Sequence, residues 1–129
     1  MKRVLIVEDD SRIAAALALR LKHAHYEVLL AQDALAGVGS AVKLRPDLVL
    51  LDISMPAGNG FMVAERIQSL LPTAIPIIFL TASKKAAFRE EAAKLGAVGY
   101  FEKPYNSEAL LATVNRVLGN ESRRSEPGV

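Results

Sequence analysis

Apolar and polar positions along the chain follow two alternating periods. Short runs of branched apolar residues, such as RVLIV at 3–7, LVLL at 48–51 and IPIIFL at 75–80, are separated by longer stretches in which apolar residues recur every three or four positions. That alternation is the pattern of βαβ units wound around a parallel sheet. Five strand–helix pairs can be counted, with strands at 3–7, 26–30, 48–51, 75–80 and 98–101 and helices at 12–23, 34–44, 61–70, 84–95 and 107–118. The LVLL run lacks polar alternation, as expected of a central strand covered by helices on both faces. In the first helix Ile13, Leu17 and Leu21 recur at intervals of four and form one apolar face.

Helix punctuation agrees with this division. Asp10 or Ser11 precedes the first helix, Asp33 the second, Ser83 the fourth and Asn106 the fifth, and each side chain can accept from free N–H groups of a first turn. Gly96 and Gly119 follow the fourth and fifth helices, where a positive φ is often required. The segment NESRRSEPGV has one apolar residue in ten and cannot bury itself, so residues 1–119 are expected to be the domain and 120–129 a flexible tail or truncated linker.

Composition narrows the picture. A chain of 129 residues, half of them hydrophobic, suits one compact domain. The absence of cysteine excludes disulfides and thiolate metal sites and is compatible with a reducing compartment. A formal net charge of +2 gives no reason to expect direct nucleic-acid binding. Met1, Lys2 and Arg3 are followed by only four apolar residues before the first acids. A secretory signal core needs roughly 7 to 15, and a bilayer span roughly 18. A cytoplasmic protein without a membrane segment is the expectation.

Candidate chemistry collects at the carboxyl ends of the strands. Glu8 and Asp9 follow the first strand, Asp52 the third, Thr81 the fourth, and Lys103 lies just past the fifth. In an open parallel sheet, ligands bind at those ends where the winding reverses direction. With strand order 2-1-3-4-5, the first and third strands are neighbours and three carboxylates meet at that point. Two like charges 4 Å apart repel by about 4 kcal/mol at an effective dielectric of about 20. Three acids against one lysine leave two negative charges, which a single divalent cation would cancel. Oxygen-only ligands favour a hard ion, and few carboxylates suit Mg2+, which keeps waters and takes phosphate oxygens. Beside such a cation Asp52 can attack phosphorus, while Thr81 and Lys103 hold the remaining phosphoryl oxygens.

VLIVEDD, LLDISMP, FLTAS and YFEKP, in this order and at these separations, resemble the receiver domain of two-component response regulators. The likeness covers residues 3 to about 118. It implies a doubly wound α/β fold of the flavodoxin-like, CheY-like kind, with five parallel strands and five helices. It implies a signalling switch phosphorylated on Asp52 by a histidine kinase, a phosphotransfer protein or a small phosphodonor. Mg2+, with Mn2+ able to substitute, would be held directly by Asp9, mostly through water by Glu8, and by Asp52 and the backbone carbonyl of Ser54. Lys103–Pro104 would be a cis peptide. Thr81 would move toward the phosphoryl group and Tyr100, the switch aromatic, would turn inward behind it. The altered surface of the fourth helix, fifth strand and fifth helix would control a downstream protein target or an output domain. A homodimer is left open. Ser54 and Ser83 occupy places where the family tunes phosphoryl loss, and the loop Ala57, Gly58, Asn59, Gly60 departs from relatives that carry a bulky residue and then Asp.

Three other readings share the sheet. A flavodoxin-like nucleotide or flavin domain needs glycines or hydroxyls after the first strand, where EDDS stands instead. An aspartate-nucleophile phosphohydrolase of the haloacid-dehalogenase kind carries a second Asp two residues after the first, at the position of Ser54 here. The third is a receiver-like adaptor that takes no phosphate. Blander roles also exist: Asp10 as a helix-start acid, Thr81 as a cap of the fourth helix, Tyr100 as a core aromatic, and His23 and His25 as solvated residues at the end of the first helix.

Overall fold

The computed structural model describes residues 1–55 and 58–119. Its elements run β1 (Arg3–Val7), α1 (Ser11–His23), β2 (Glu27–Ala31), α2 (Ala34–Leu44), β3 (Leu48–Asp52), β4 (Ser54–Met55), β5 (Gly58–Asn59), α3 (Gly60–Leu70), β6 (Ile77–Thr81), α4 (Ala86–Lys94), β7 (Gly99–Glu102) and α5 (Ser107–Leu118). The longer strands form a parallel sheet of order β2-β1-β3-β6-β7, while β4 and β5 make a small antiparallel hairpin. Without that hairpin, which the periodicity does not reveal, this is the expected order. The sequence segment 120–129 and residues 56–57 of the loop after β4 lie outside the described residues.

Side-chain alternation along the sheet sorts the core into two layers. Leu5, Val7, Val49, Leu51, Ile77 and Phe79 face α2, α3 and α4, whose Val38, Ala41, Val63, Ala64, Ile67 and Ala92 are buried against them. Val4, Ile6, Leu48, Leu50, Ile78 and Leu80 face α1 and α5, where they meet Leu17, Leu21, Leu110 and Val114. The central strands are therefore buried on both sides, as their unbroken apolar runs require. On the second side the buried Tyr26 hydroxyl donates to Asn115 Oδ1, tying the entry to β2 to α5.

Several boundaries differ from the periodicity. The second strand begins at Glu27, not at residue 26, because the Tyr26 N–H still donates to the Leu21 carbonyl, whereas the Glu27 N–H donates to Lys2. The fourth begins at Ile77, not 75: Pro76 has no N–H for the ladder, although its carbonyl accepts from Val49. The third, fourth and fifth strands each run one residue further than expected, through Asp52, Thr81 and Glu102, so Asp52 and Thr81 belong to the sheet. Asp52 pairs in register with Leu80, and Thr81 with Glu102.

The fourth helix begins at Ala86, not at residue 84, and Ser83 is not its cap. Thr81 Oγ1 accepts from the Ser83 N–H, and Ser83 Oγ accepts from Lys85, so local side-chain bonds hold this stretch in a turn. Asp10, Asp33 and Asn106 cap as expected, and Asn59 caps α3. Gly96 and Gly119 have φ of 76° and 79°, the left-handed conformation expected after a helix end.

Candidate functional site

β1 and β3 are neighbours, with Val7 opposite Leu51, so the residues that follow them emerge side by side. Carboxylate oxygens of Glu8, Asp9 and Asp52 lie within 4.8 Å of one another. Glu8 and Asp52 are buried, at 1% and 3% exposure, while Asp9 is exposed. The backbone fixes this arrangement. The Glu8 N–H donates to the Ala31 carbonyl, the Asp10 N–H donates to Glu8 Oε2 at 3.1 Å, and the Ser54 N–H donates to Asp52 Oδ1 at 3.2 Å.

Lys103 completes the cluster from across the sheet. Its Nζ lies 2.9 Å from Glu8 Oε1 and 3.5 Å from Asp52 Oδ2. Its N–H donates to the Thr81 carbonyl at 2.7 Å, and the Lys103–Pro104 peptide is cis, as expected. Burial raises the Glu8 carboxyl above its ordinary range, an effect opposed by the hydrogen bond from Lys103. Burial alone would lower the Lys103 ammonium, but its bond to Glu8 and the charge of Asp52 outweigh this, and its pKa is raised. With all four groups charged, the pocket carries two uncompensated negative charges.

That donor set fits a hard divalent cation. It offers only oxygens, one from each of three carboxylates close together, and Asp9 is open to solvent so that an ion can keep part of its water shell. Ser54 stands at the hairpin entrance, two residues past Asp52, and pairs with Asn59.

Close backbone packing also shapes the pocket. The Gly60 N–H donates to the Ile53 carbonyl, and a Cβ at Gly60 would stand 2.5 Å from the Asp52 carbonyl oxygen and 2.9 Å from Ile53 Cα. Sequence reasoning names Gly60 only as the last residue of the 57–60 loop and gives it no part in the site; a glycine opening a helix just after the acid-bearing strand is the available signal.

Thr81 and Tyr100 belong to the same corner but not to the carboxylate cluster. Thr81 is buried at the end of β6, next to the register partner of Asp52, and its hydroxyl is engaged with the Ser83 N–H. The cap role for Thr81 is thereby replaced by a turn bond. Tyr100 packs at the edge of the layer facing α4, alongside Phe88 and Leu95. Sequence reasoning also passes over Lys84, Arg89 and Glu102, which form ion pairs beside Tyr100.

Comparison with known proteins decides the family. Residues 4–115 match the response regulator receiver domain. The chain belongs to that family. It is 36% identical over 124 residues to the "DNA-binding dual master transcriptional regulator RpaA" of Synechocystis sp., covering 95% of this chain and 52% of that protein. It is 35% identical over 118 residues to "Response regulator ArlR" of Staphylococcus epidermidis, covering 92% of this chain and 53% of that protein. The chain thus spans about half the length of these curated relatives. Among solved structures, a CheY-like response regulator receiver domain from Methanospirillum hungatei superposes with a TM-score of 0.87 at 28% identity, covering 97% of this chain and 99% of that one. The receiver fold expected from the sequence is therefore the fold present, and the phosphohydrolase reading is not favoured. Among the described residues, no helix is long and apolar enough to cross a membrane.

Proposed function

We propose that this receiver domain is a switch operated by phosphorylation of Asp52. The observation that carries this is the convergence of Glu8, Asp9, Asp52 and Lys103 at the switch point of the sheet, with a charge deficit that suits one Mg2+ or Mn2+. Asp9, Asp52 and the Ser54 carbonyl would hold the ion directly and Glu8 mostly through water; when bound, it neutralises phosphoryl oxygens and the carboxylates around them.

An Asp52 carboxylate oxygen attacks the phosphorus of a phosphohistidine or a small acyl phosphate. The new O–P bond forms as the bond to the donor's nitrogen or oxygen breaks, and the leaving group keeps that electron pair. Lys103 is placed to shift its ammonium from Glu8 and Asp52 toward a phosphoryl oxygen, and the Thr81 hydroxyl to donate to another. The domain thus promotes its own phosphorylation. Thr81 then draws toward the phosphoryl group and Tyr100 turns in behind it, changing the surface of α4, β7 and α5. A phosphoryl group acts only through differential contacts with two states, so the output is a shift in their populations.

On this reading the upstream partner is a histidine kinase or phosphotransfer protein, and the downstream partner is a protein target or output domain. The setting is cytoplasmic. The test is incubation with acetyl phosphate and Mg2+, followed by intact mass. One added phosphoryl group, abolished by Asp52→Asn and by EDTA, is expected; no adduct from acetyl phosphate or any histidine kinase, or an adduct that survives Asp52→Asn, overturns the reading.

A further inference from the structure

The sheet face turned toward α4 carries a charged cluster that the phosphoryl site does not use. Tyr100 and Glu102 stand two apart on β7 and so project to the same side. Arg89 of α4 reaches both: its guanidinium carbon is 4.5 Å from the Tyr100 ring centroid, and its Nη2 is 3.6 Å from Glu102 Oε2. Lys84 Nζ takes the other carboxylate oxygen at 3.6 Å. The Tyr100 hydroxyl is buried and has no hydrogen-bond partner among the described residues.

A buried hydroxyl without a partner does not hold its own side chain in place; any position offering an acceptor would suit it better. The Tyr100 ring is therefore held by packing and by the cation stacked on it. A guanidinium suits that task because it is flat and can stack on a ring while its edge meets a carboxylate. Glu102 supplies that carboxylate, and its place on the same strand, two residues on, keeps guanidinium and ring in step.

We propose that Arg89, braced by Glu102, is a positioning residue that holds Tyr100 in the orientation seen here and so sets the resting equilibrium of the switch. This rests on Tyr100 being the switch aromatic. Moving Tyr100 out of this orientation, toward the space behind Thr81, gives up the stacked contact, and the phosphoryl site must offset that loss. The same motion frees Arg89 from the ring, leaving it and Lys84 to share Glu102, so the change is displayed on α4 as a less constrained cation.

The test uses the full chain with ring-13C tyrosine. The chain has three tyrosines, so Tyr100→Phe assigns the signal. Titration with beryllofluoride in excess Mg2+ mimics the phosphoryl group, and Asp52→Asn controls for binding elsewhere. Arg89→Ala is expected to move the free Tyr100 signal toward its bound position and to lower the half-effect concentration by about two- to fivefold, the factor of an exposed cation–π contact. Arg89→Lys keeps the charge but not the flat stacking surface and should lie between; Glu102→Gln should act in the same direction as Arg89→Ala. If Arg89→Ala folds poorly, these two carry the test. An unmoved free signal with unchanged half-effect concentrations overturns the proposal while the switch reading stands. A wild-type Tyr100 signal that ignores beryllofluoride, although Asp52 is occupied, overturns both.

Discussion

Lys103 Nζ lies 2.9 Å from Glu8 Oε1, an ion pair between residues 95 positions apart that closes the acidic pocket from the far side of β3 and β6. Glu8 is 1% exposed, so removing the lysine strands a buried carboxylate beside a second one. Lys103→Met is expected to lower stability in EDTA by about 3 kcal/mol, the usual cost of breaking a buried pair from one side. Added Mg2+ should narrow the gap, because it supplies the missing positive charge, and calorimetry should show tighter Mg2+ binding once the competing ammonium is gone. Equal stability of Lys103→Met and wild type in EDTA would remove the pair from the account.

Gly60 makes a different prediction. A Cβ there meets the backbone of Asp52 and Ile53, which no rotamer change relieves. Gly60→Ala should cost about 2 kcal/mol or more as an overpacked substitution. It should also weaken Mg2+ binding by displacing the strand end that carries Asp52. Gly39, in α2, has open space where a methyl group would stand, with nothing within 4 Å, so Gly39→Ala should raise stability by roughly 0.5 to 1 kcal/mol through helix propensity. Urea unfolding of both variants checks the opposite signs.

Asp10 supplies the pH dependence. Its carboxylate accepts from the Ile13 and Arg12 N–H groups, and these bonds hold it below its ordinary value. A depressed folded-state pKa gives stability that is present above the unfolded-state value and is lost as pH falls through the folded one. Asn also caps but does not titrate. In urea titrations with EDTA, wild type should therefore lose stability more steeply than Asp10→Asn below about pH 4. Parallel curves for the two proteins would show that the cap does not contribute in this way.

Most of the fold was legible because apolar period and capping chemistry coincide along this chain. Asp10, Asp33 and Asn106 cap where their short polar side chains suggested, and the unbroken run at Leu48 to Leu51 marked a strand buried on both faces. What stayed hidden depends on contacts that no local period encodes. The β4–β5 hairpin has two residues per strand, too short for alternation to register. The start of α4 was misplaced because Ser83, a good cap in isolation, bonds Lys85 within a preceding turn. In the site, the acids and Lys103 were legible from their positions at strand ends. The burial of Glu8, the closeness of Gly60 to Asp52, and the stacking of Arg89 on Tyr100 are products of packing between elements.

Asp9 offers the cleanest separation of chemistry from stability. It is exposed, and it makes no hydrogen bond or ion pair among the described residues, so the fold does not depend on its charge. Its neighbours Glu8 and Asp52 repel it, and Asp9→Asn relieves that repulsion without changing side-chain size. Stability in EDTA should stay within about 0.5 kcal/mol of wild type, as for ordinary surface substitutions, or rise slightly. Magnesium affinity should fall by about tenfold or more, since even outer ligands of a metal are worth that much, and the rate of phosphorylation by acetyl phosphate should fall with it. Calorimetry and intact mass, read beside urea unfolding, give the three numbers. Magnesium binding unchanged in Asp9→Asn would take Asp9 out of the ligand set and leave Glu8 and Asp52 to hold the ion.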